Sequence, residues 1–253
     1  MIYTIIDIET SGLMKFDENA DLIPDLLEFS FLQVDSTTLR IVKNGTLWFY
    51  QPHFDIENEA QEIHHIQRDF LMKYEDQFEE NLIALASIMT NATVMGKNSR
   101  KFDVPFIWHF IKKYKGNSFD IGDITMRLAM KTYDGHGRVF HENNTNHIDI
   151  QEIYAPVYRV KTYLKEMGRI GEFYSPDFTA NKFESIHDAY CDKRKRGKLT
   201  EYIEMMPNGY ATVDEIYNSL PKDISTGAHG GLYDAVMTYV IWLDYIILKG
   251  RLK

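Results

Sequence analysis

Three short apolar segments with strand character lie within the first fifty residues of the chain. Residues 3–6, 28–34 and 46–50 are rich in β-branched and aromatic side chains, which favour β-strands. The pair Asn44-Gly45, which is typical of tight turns, separates the second segment from the third. Together the three segments predict an antiparallel start to a β-sheet.

Helical patterns alternate with strands after this point. Apolar residues recur at helical spacing over 78–89, residues 93–96 predict another strand, and a second helical face begins near Asp103. Residues 232–248 predict a long, mostly buried helix. Strands that are followed by alternating helices and strands indicate an α/β fold, with a mixed β-sheet flanked by helices.

The domain organisation follows from length and local composition. A chain of 253 residues has room for one large domain, or for a core that carries an insertion. The stretch of about 135–224 is polar and rich in Tyr, Asn, Asp and Lys, with some helical character near 160–167. We therefore predict one domain over 1–253, with a core at about 1–134 and 225–250 and a C-terminal-half insertion at about 135–224.

Several protein classes are excluded by simple features of the sequence. The single cysteine, Cys191, cannot form an intramolecular disulfide. The first apolar run is cut short by Asp7 and Glu9, which argues against a signal peptide. The longest apolar stretch, 235–248, is too short to span a bilayer and is interrupted by Asp244. We expect a soluble, cytoplasmic protein that does not bind membranes.

The charge balance limits how the chain can hold nucleic acid. It has 28 basic and 37 acidic residues, which give a net charge of −9. A protein that binds nucleic acid mainly by neutralising phosphates is basic, so this class is disfavoured. An enzyme that grips a few nucleotides, and meets their phosphates with carboxylate-bound metal ions, remains compatible with the composition.

Two carboxylates follow the first predicted strand. Asp7 and Glu9 are two residues apart, so their side chains project from the same face of a strand. Paired carboxylate oxygens suit Mg²⁺ or Mn²⁺. The same spacing at Asp55 and Glu57 lies in a polar context and predicts solvated surface, so spacing alone is weak. The first pair is distinguished by the buried strand before it and the turn-forming Thr-Ser-Gly after it.

Asp103 stands between a predicted strand and a predicted amphipathic helix. An aspartate at such a junction commonly caps the helix. It can also face a site at the end of the strand. The two roles are compatible, and the sequence leaves both open.

A histidine and an aspartate open the last predicted helix. His229 lies in a glycine-containing loop, and Asp234 lies in the following helical turn. The His-x4-Asp spacing discriminates nothing by itself, because it occurs twice more in the chain, at His64/Asp69 and at His187/Asp192. Only the pair His229 and Asp234 combines a glycine loop with a buried helix directly after it.

The order of these acidic elements resembles the DEDDh branch of the 3′–5′ exonuclease superfamily, the group of proofreading exonucleases, exonuclease X, RNase T and oligoribonuclease. The family motif Asp-x-Glu-Thr-(Thr/Ser)-Gly-Leu stands at 7–13 as DIETSGL. The second motif, His-Asn-x3-Phe-Asp, stands at 97–103 as KNSRKFD, and the third, His-x4-Asp, at 229–234. Residues 64–66, His-His-Ile, look like the family's His-Gly-Ile element.

The sequence departs from the family pattern at two positions. Lys97 replaces the usual histidine of the second motif, and His65 replaces the usual glycine of the His-Gly-Ile element. Both departures bear on the nucleotide pocket. The resemblance covers about 1–130 and 225–250, and the insertion has no counterpart in the family core.

The resemblance implies a ribonuclease H-like fold and a two-metal-ion phosphodiester hydrolase. Asp7, Glu9 and Asp234 would hold one divalent cation, Mg²⁺ or Mn²⁺. Asp7 would bridge to a second cation, which Asp103 would support through water. His229 would act as the general base, since neutral imidazole is available at cellular pH.

The resemblance also implies a set of substrate-binding residues. The first turn would contact the terminal nucleotide, and an aromatic and a histidine side chain would pack on the last sugar and base. The substrate-binding candidates are Thr10, Ser11, Gly12, Leu13, His65, Asn98 and Phe102.

The substrate is the point that the motifs leave open. We expect hydrolysis of single-stranded DNA from its 3′ end to nucleoside 5′-monophosphates, because the spacing of the elements looks most like the DNA-degrading and proofreading members. An exoribonuclease of the oligoribonuclease or RNase T type is the first alternative, since the 2′-hydroxyl is sensed by pocket shape. A non-catalytic binding module on the same fold is the second. Several relatives are dimers or associate with polymerases, but no residue here argues for either partner.

Overall fold

A computed structural model describes residues 1–12, 24–89, 93–100, 102–115, 147–193, 213–221 and 230–251. Its centre is a five-stranded sheet with the strand order β3-β2-β1-β4-β5. The strands are β1 (Ile2–Thr10), β2 (Leu26–Asp35), β3 (Ile41–Trp48), β4 (Thr93–Gly96) and β5 (His147–Asp149).

The sheet is mixed, as the sequence predicts. β1 pairs antiparallel with β2, and β2 pairs antiparallel with β3. On its other side β1 runs parallel to β4, which in turn runs parallel to β5. The α/β fold class is confirmed, and this order and direction of strands is consistent with the predicted ribonuclease H-like fold.

The turn between β2 and β3 lies earlier in the chain than predicted. Asn44 and Gly45 are inside β3, where they pair with Leu32 and Phe31. The connection is instead made by residues 36–40, where one carboxylate oxygen of Asp35 accepts the N–H groups of the second and third following residues over 3.0 and 2.7 Å. An aspartate that hydrogen-bonds the backbone just ahead of it forms a turn of its own.

Gly45 has a packing role in β3. A Cβ atom at this position would lie 3.0 Å from the Phe31 ring. A glycine in a strand often marks such a close approach rather than a turn. The prediction of a turn at Asn44-Gly45 was therefore wrong because a packing glycine and a turn glycine look alike in sequence.

Helices lie against both faces of the sheet. They pack as two layers, and each layer has its own apolar core. The α-helices are α1 (Asn58–His64), α2 (Arg68–Leu71), α3 (Phe78–Met89), α4 (Asp103–Lys115), α5 (Ile150–Glu166), α6 (Ala180–Lys193), α7 (Val213–Ser219) and α8 (Gly231–Arg251).

The alternation of side chains along β1 separates the two cores. Ile6 and Ile8 face the first core, which includes the apolar sides of α3 and α4. Ile5 faces the second core, which includes those of α5 and α8. Because side chains alternate along a strand, Asp7 and Glu9 share the face of Ile5 and therefore the face of α8.

Part of the predicted insertion belongs to the sheet. β5 and α5 lie within 135–224, yet β5 pairs with β4, and α5 packs into the second core. α5 begins after Asp149, whose carboxylate accepts the N–H of Gln151. A strand of three residues with polar ends carries almost no periodic signal, so the sequence does not reveal it. The division into one domain with an insertion stays a prediction.

No helix in the described segments combines the length and the apolar character that a bilayer span requires.

Candidate active site

Three of the predicted acidic residues meet at the carboxyl end of the central strand. Asp7 and Glu9 project from β1, and Asp234 projects from the first turn of α8. One carboxylate oxygen from each residue lies within 4.8 Å of the other two. All three side chains are half-buried, so the cluster is partly open to solvent.

Asp103 joins this cluster from the opposite helical layer. It is the first residue of α4 and is 5% exposed. Its carboxylate is hydrogen-bonded to the backbone of Ile8, the residue between Asp7 and Glu9. The structure therefore brings together all four carboxylates that the sequence singled out, at one end of β1.

The four carboxylates lie close enough to repel one another, and burial reduces their solvation by water. Burial raises the pKa of Asp7 well above its usual range, and the charges of Asp103, Asp234 and Glu9 raise it further. Burial, with a contribution from the charge of Glu28, raises the pKa of Glu9 to about 9. Burial also raises the pKa of Asp103 to about 7. Concentrated negative charge of this kind favours a bound cation.

The donor set fits Mg²⁺ or Mn²⁺. Both ions prefer oxygen ligands, and carboxylates supply them with the compensating charge. Asp7, Glu9 and Asp234 offer three such oxygens within 4.8 Å of one another. A cation there would also relieve the mutual repulsion that raises these pKa values.

These pKa shifts predict how the stability of the metal-free protein depends on pH. When the pKa of a carboxyl is higher in the folded chain than in the unfolded chain, its ionisation lowers the stability of the folded protein. The melting temperature in EDTA should therefore rise as the pH is lowered from about 9 towards 5, through the raised pKa values of Glu9 and Asp103. Thermal melting across this range tests it, and a melting temperature that falls from pH 9 to pH 6 would contradict it.

The turn after β1 is held by its own polar groups. The Thr10 hydroxyl donates to the carbonyl oxygen of Gly12 over 2.8 Å. The Ser11 hydroxyl accepts the N–H of Asp25 over 2.8 Å, and the Ser11 N–H donates to the Asp25 carbonyl oxygen. Both side chains are buried, so they shape the turn itself. Substrate binding by the predicted turn residues stays a prediction.

Two predicted site residues lie outside the described residues. Leu13 follows the turn directly, and His229 precedes Gly230, which is the first described residue of the last segment. Their assignments to substrate binding and to the general base stay predictions from the sequence.

The segment of the second motif is anchored by β5. Asn98 is exposed, has a left-handed backbone with φ of 58°, and donates its N–H to Asp149 over 3.0 Å. The N–H of Arg100 donates to the other oxygen of Asp149 over 3.1 Å. The buried Ser99 hydroxyl is 2.9 Å from Nε2 of His147. Sequence reasoning missed both β5 residues because it placed them in the insertion.

Two aromatic candidates occupy different environments. Phe102 is half-buried, and its ring centroid lies 5.9 Å from that of Phe106. His65 is exposed and ends α1 with a left-handed backbone of φ 59°. Because glycine adopts this conformation most readily, the structure explains why a glycine is usual at the position. Contact of either residue with a nucleotide stays a prediction.

The chain's other two His-x4-Asp pairs are unlike the one at α8. His64 is buried, and its Nδ1 accepts the N–H of Ile66 over 3.0 Å, while Asp69 is exposed. His187 and Asp192 lie on α6, whose Ile186 packs into the second core. Neither pair contributes a ligand to the acidic cluster among the described residues.

Glu28 is a further charged residue beside the cluster that sequence reasoning missed. It pairs directly with Glu9 across β1 and β2 and is 2% exposed. A signal was available, because a glutamate interrupts an otherwise apolar strand between Leu27 and Phe29. Charged residues are rarely buried without a specific partner.

Comparison with known proteins gives structural matches alone. No protein-family model matches the sequence, and no curated protein matches it. Escherichia coli exonuclease I in complex with a dT13 oligonucleotide is similar at 14% identity and a TM-score of 0.46. Cell-death related nuclease 4 is similar at 15% identity and a TM-score of 0.43. A 3′-exonuclease that recognises the histone mRNA stem-loop is similar at 12% identity and a TM-score of 0.35.

The alignments differ in how much of each chain they include. The first two cover 97% of this chain but 40% and 64% of the other chains. The third covers 66% of this chain and 54% of the other. This chain thus spans less than two thirds of the length of these proteins. The fold assignment rests on the strand order and directions, and the functional proposal below rests on the site itself.

Proposed function

We propose that the chain is a metal-dependent 3′–5′ exonuclease that degrades single-stranded DNA to nucleoside 5′-monophosphates. The observation that supports this proposal is the convergence of Asp7, Glu9 and Asp234, whose oxygens lie within 4.8 Å of one another. The buried Asp103 beside them completes the four-carboxylate set of the family that the sequence resembles.

The carboxylates have distinct proposed roles. Asp7, Glu9 and Asp234 would hold one divalent cation, and Asp7 and Asp103 would support a second. When bound, such ions lower the pKa of an attacking water and stabilise the negative charge that develops on the phosphate and the leaving oxygen. Hydrogen bonds from its own backbone and from the backbone of Ile8 would help to orient the Asp103 carboxylate.

The other site residues would position the strand and move a proton. His229 would accept a proton from the attacking water, which requires the neutral imidazole. The hydroxyl groups of Thr10 and Ser11 are already hydrogen-bonded, which would preorganise the Thr10–Gly12 turn for the strand. Phe102 and His65 would pack on the terminal sugar and base, and stacking of this kind is tolerant of sequence.

The experiment uses matched 5′-labelled single-stranded DNA and RNA oligonucleotides with Mn²⁺, Mg²⁺ or EDTA. Asp234→Ala is compared with Asp69→Ala, which removes an exposed aspartate from the same His-x4-Asp spacing. We expect a ladder that shortens from the 3′ end of DNA, requires the metal, survives in Asp69→Ala and disappears in Asp234→Ala.

Activity on RNA, or no activity on either substrate, would contradict the proposal and favour one of two alternatives. A ladder mainly on RNA would retain the chemistry and change the substrate to that of an exoribonuclease. Absence of hydrolysis on both substrates, together with no effect of either cation on the melting temperature, would favour a non-catalytic binding module.

A further inference from the structure

Glu28 places a carboxylate in the interior, next to the acidic cluster. Its Oε1 accepts the hydroxyl of Ser30 over 2.7 Å, and Ser30 itself pairs with Asp7 across the sheet. Its Oε2 is buried and makes no hydrogen bond to the described residues. A buried acceptor without a partner costs free energy, which an apolar side chain at this strand position would avoid.

The same carboxylate contacts the start of α8. The backbone N–H groups of Gly231 and Leu232 are hydrogen-bonded to Glu28. The first N–H groups of a helix have no partner within the helix, and a negative charge at this end is also favoured by the helix dipole. Glu28 therefore joins the first turn of α8 directly to β2.

The approach of the helix to the strand is unusually close. A Cβ atom on Gly231 would lie 2.9 Å from Oε1 of Glu28 and 3.1 Å from Cβ of Ser30. The glycine thus allows the helix start to sit on the two polar side chains of β2. Any larger residue would displace one of the partners.

Asp234 lies close to this contact along the chain. Asp234 follows Gly231 by three residues, so it lies in the same first turn of α8. Glu28 in turn faces Glu9 across the sheet. The carboxylate of Glu28 is not one of the three whose oxygens lie within 4.8 Å of one another. Its charge acts on Glu9 across the sheet, and its contact with the helix start links it to Asp234.

We propose that Glu28 is a positioning residue of the metal centre, which docks the first turn of α8 on β2 and so holds Asp234 against Asp7 and Glu9. The inference rests on the proposed function, because it assumes that these three carboxylates bind a divalent cation. A residue that only capped the helix would contribute to stability but would leave the cation affinity unchanged.

The test measures Mn²⁺ binding to the full chain by isothermal titration calorimetry, with the melting temperature in EDTA measured in parallel. Glu28→Ala should weaken Mn²⁺ binding about 10–100-fold, the range found when a residue that orients metal ligands is removed. Glu28→Gln should bind Mn²⁺ with nearly wild-type affinity, because its amide oxygen can replace Oε1 as the acceptor of the hydroxyl and N–H groups.

The matched control is Asp244→Asn, which alters another buried carboxylate of α8, ten residues and about 15 Å along the helix from Asp234. It should lower the melting temperature and leave Mn²⁺ affinity unchanged. If Glu28→Ala does not fold, Gly231→Ala provides the second variant. Its methyl group should push the helix start from Glu28 and weaken Mn²⁺ binding in the same way.

Mn²⁺ binding by the variants tests the positioning role of Glu28, and Mn²⁺ binding by the wild type tests the proposed function. Wild-type affinity in Glu28→Ala or, failing that, in Gly231→Ala would overturn the positioning role while leaving the exonuclease proposal intact. A loss in Glu28→Gln as large as that in Glu28→Ala would also overturn it, because charge rather than docking would then matter. If the wild-type chain itself does not bind Mn²⁺, the proposed function fails first.

Discussion

Asp7→Asn should reduce exonuclease turnover by at least about 10³-fold, which corresponds to about 4 kcal/mol of transition-state stabilisation. Asp7 lies at the centre of the acidic cluster, where it is repelled by Asp103, Asp234 and Glu9. Asparagine preserves the shape of the side chain but removes the charge that a cation requires. The same change relieves the repulsion in the metal-free protein, so its melting temperature at pH 8 should be unchanged or higher.

Asp7→Asn should therefore lower turnover without lowering the melting temperature, which distinguishes a loss of metal binding from a loss of folding. Single-turnover rates on 5′-labelled single-stranded DNA and melting curves in EDTA are measured on the same preparations. Asp69→Asn, on the exposed surface of α2, is the control and should change neither quantity. The prediction is wrong if turnover stays within tenfold of wild type, or if activity is lost together with a drop in melting temperature.

Asp244→Ala should lower the free energy of unfolding by about 3–5 kcal/mol, the usual cost of removing one partner of a buried ion pair. Lys161 is fully buried on α5, and its Nζ lies 3.3 Å from Oδ2 of Asp244 and 3.2 Å from the hydroxyl of Tyr154. The Tyr154 hydroxyl also donates to Asp244 over 2.6 Å. Without this carboxylate, a phenol oxygen and neighbouring ring faces would be the partners left to the ammonium among the described residues.

The surroundings of Lys161 explain why the loss of unfolding free energy in Asp244→Ala should be large. Burial lowers its pKa, whereas the charge of Asp244 acts to raise it, so the ammonium depends on its partner. The rings of Phe173 and Tyr174 lie 5.2 and 5.5 Å from Nζ. Cation–π contacts at these distances contribute less than a paired carboxylate does.

A double-mutant cycle tests the pair. The double variant Lys161→Met/Asp244→Ala should be more stable than Asp244→Ala, because it leaves no buried charge unpaired, and the single variant Lys161→Met completes the cycle. Urea denaturation of the wild type and the variants provides the free energies. Additive losses, or a loss below about 1 kcal/mol in Asp244→Ala, would show that solvent reaches the pair.

The sequence predicted the parts of the fold that are encoded by local pattern. β1, β2, α3, α4 and α8 all appear where the sequence pattern places them. The four acidic residues meet because Asp7 and Glu9 lie on β1, while Asp103 and Asp234 lie in the first turns of α4 and α8. The order of motifs was informative because each motif lies next to a strand or helix whose position the fold determines.

Features that depend on tertiary contacts were not predictable in this way. Gly45 was assigned to a turn because its partner, the Phe31 ring, lies on another strand. β5 was missed because three residues carry too little pattern. Its two polar ends, His147 and Asp149, hydrogen-bond to residues 98–100, a contact that no local pattern predicts. Glu28 escaped notice because its function depends on a helix start two hundred residues away.

The four carboxylates of the proposed metal site come from three different layers of the fold. Asp103 comes from the helical layer on one face of the sheet, Asp234 from the layer on the other face, and Asp7 and Glu9 from the strand between them. The two proposed cations would tie both layers to β1, one through Asp234 and the other through Asp103, so neither layer could detach without releasing a cation. Metal binding should therefore slow amide hydrogen exchange in α4 and α8 to a similar extent, and merge their local opening into a single cooperative event.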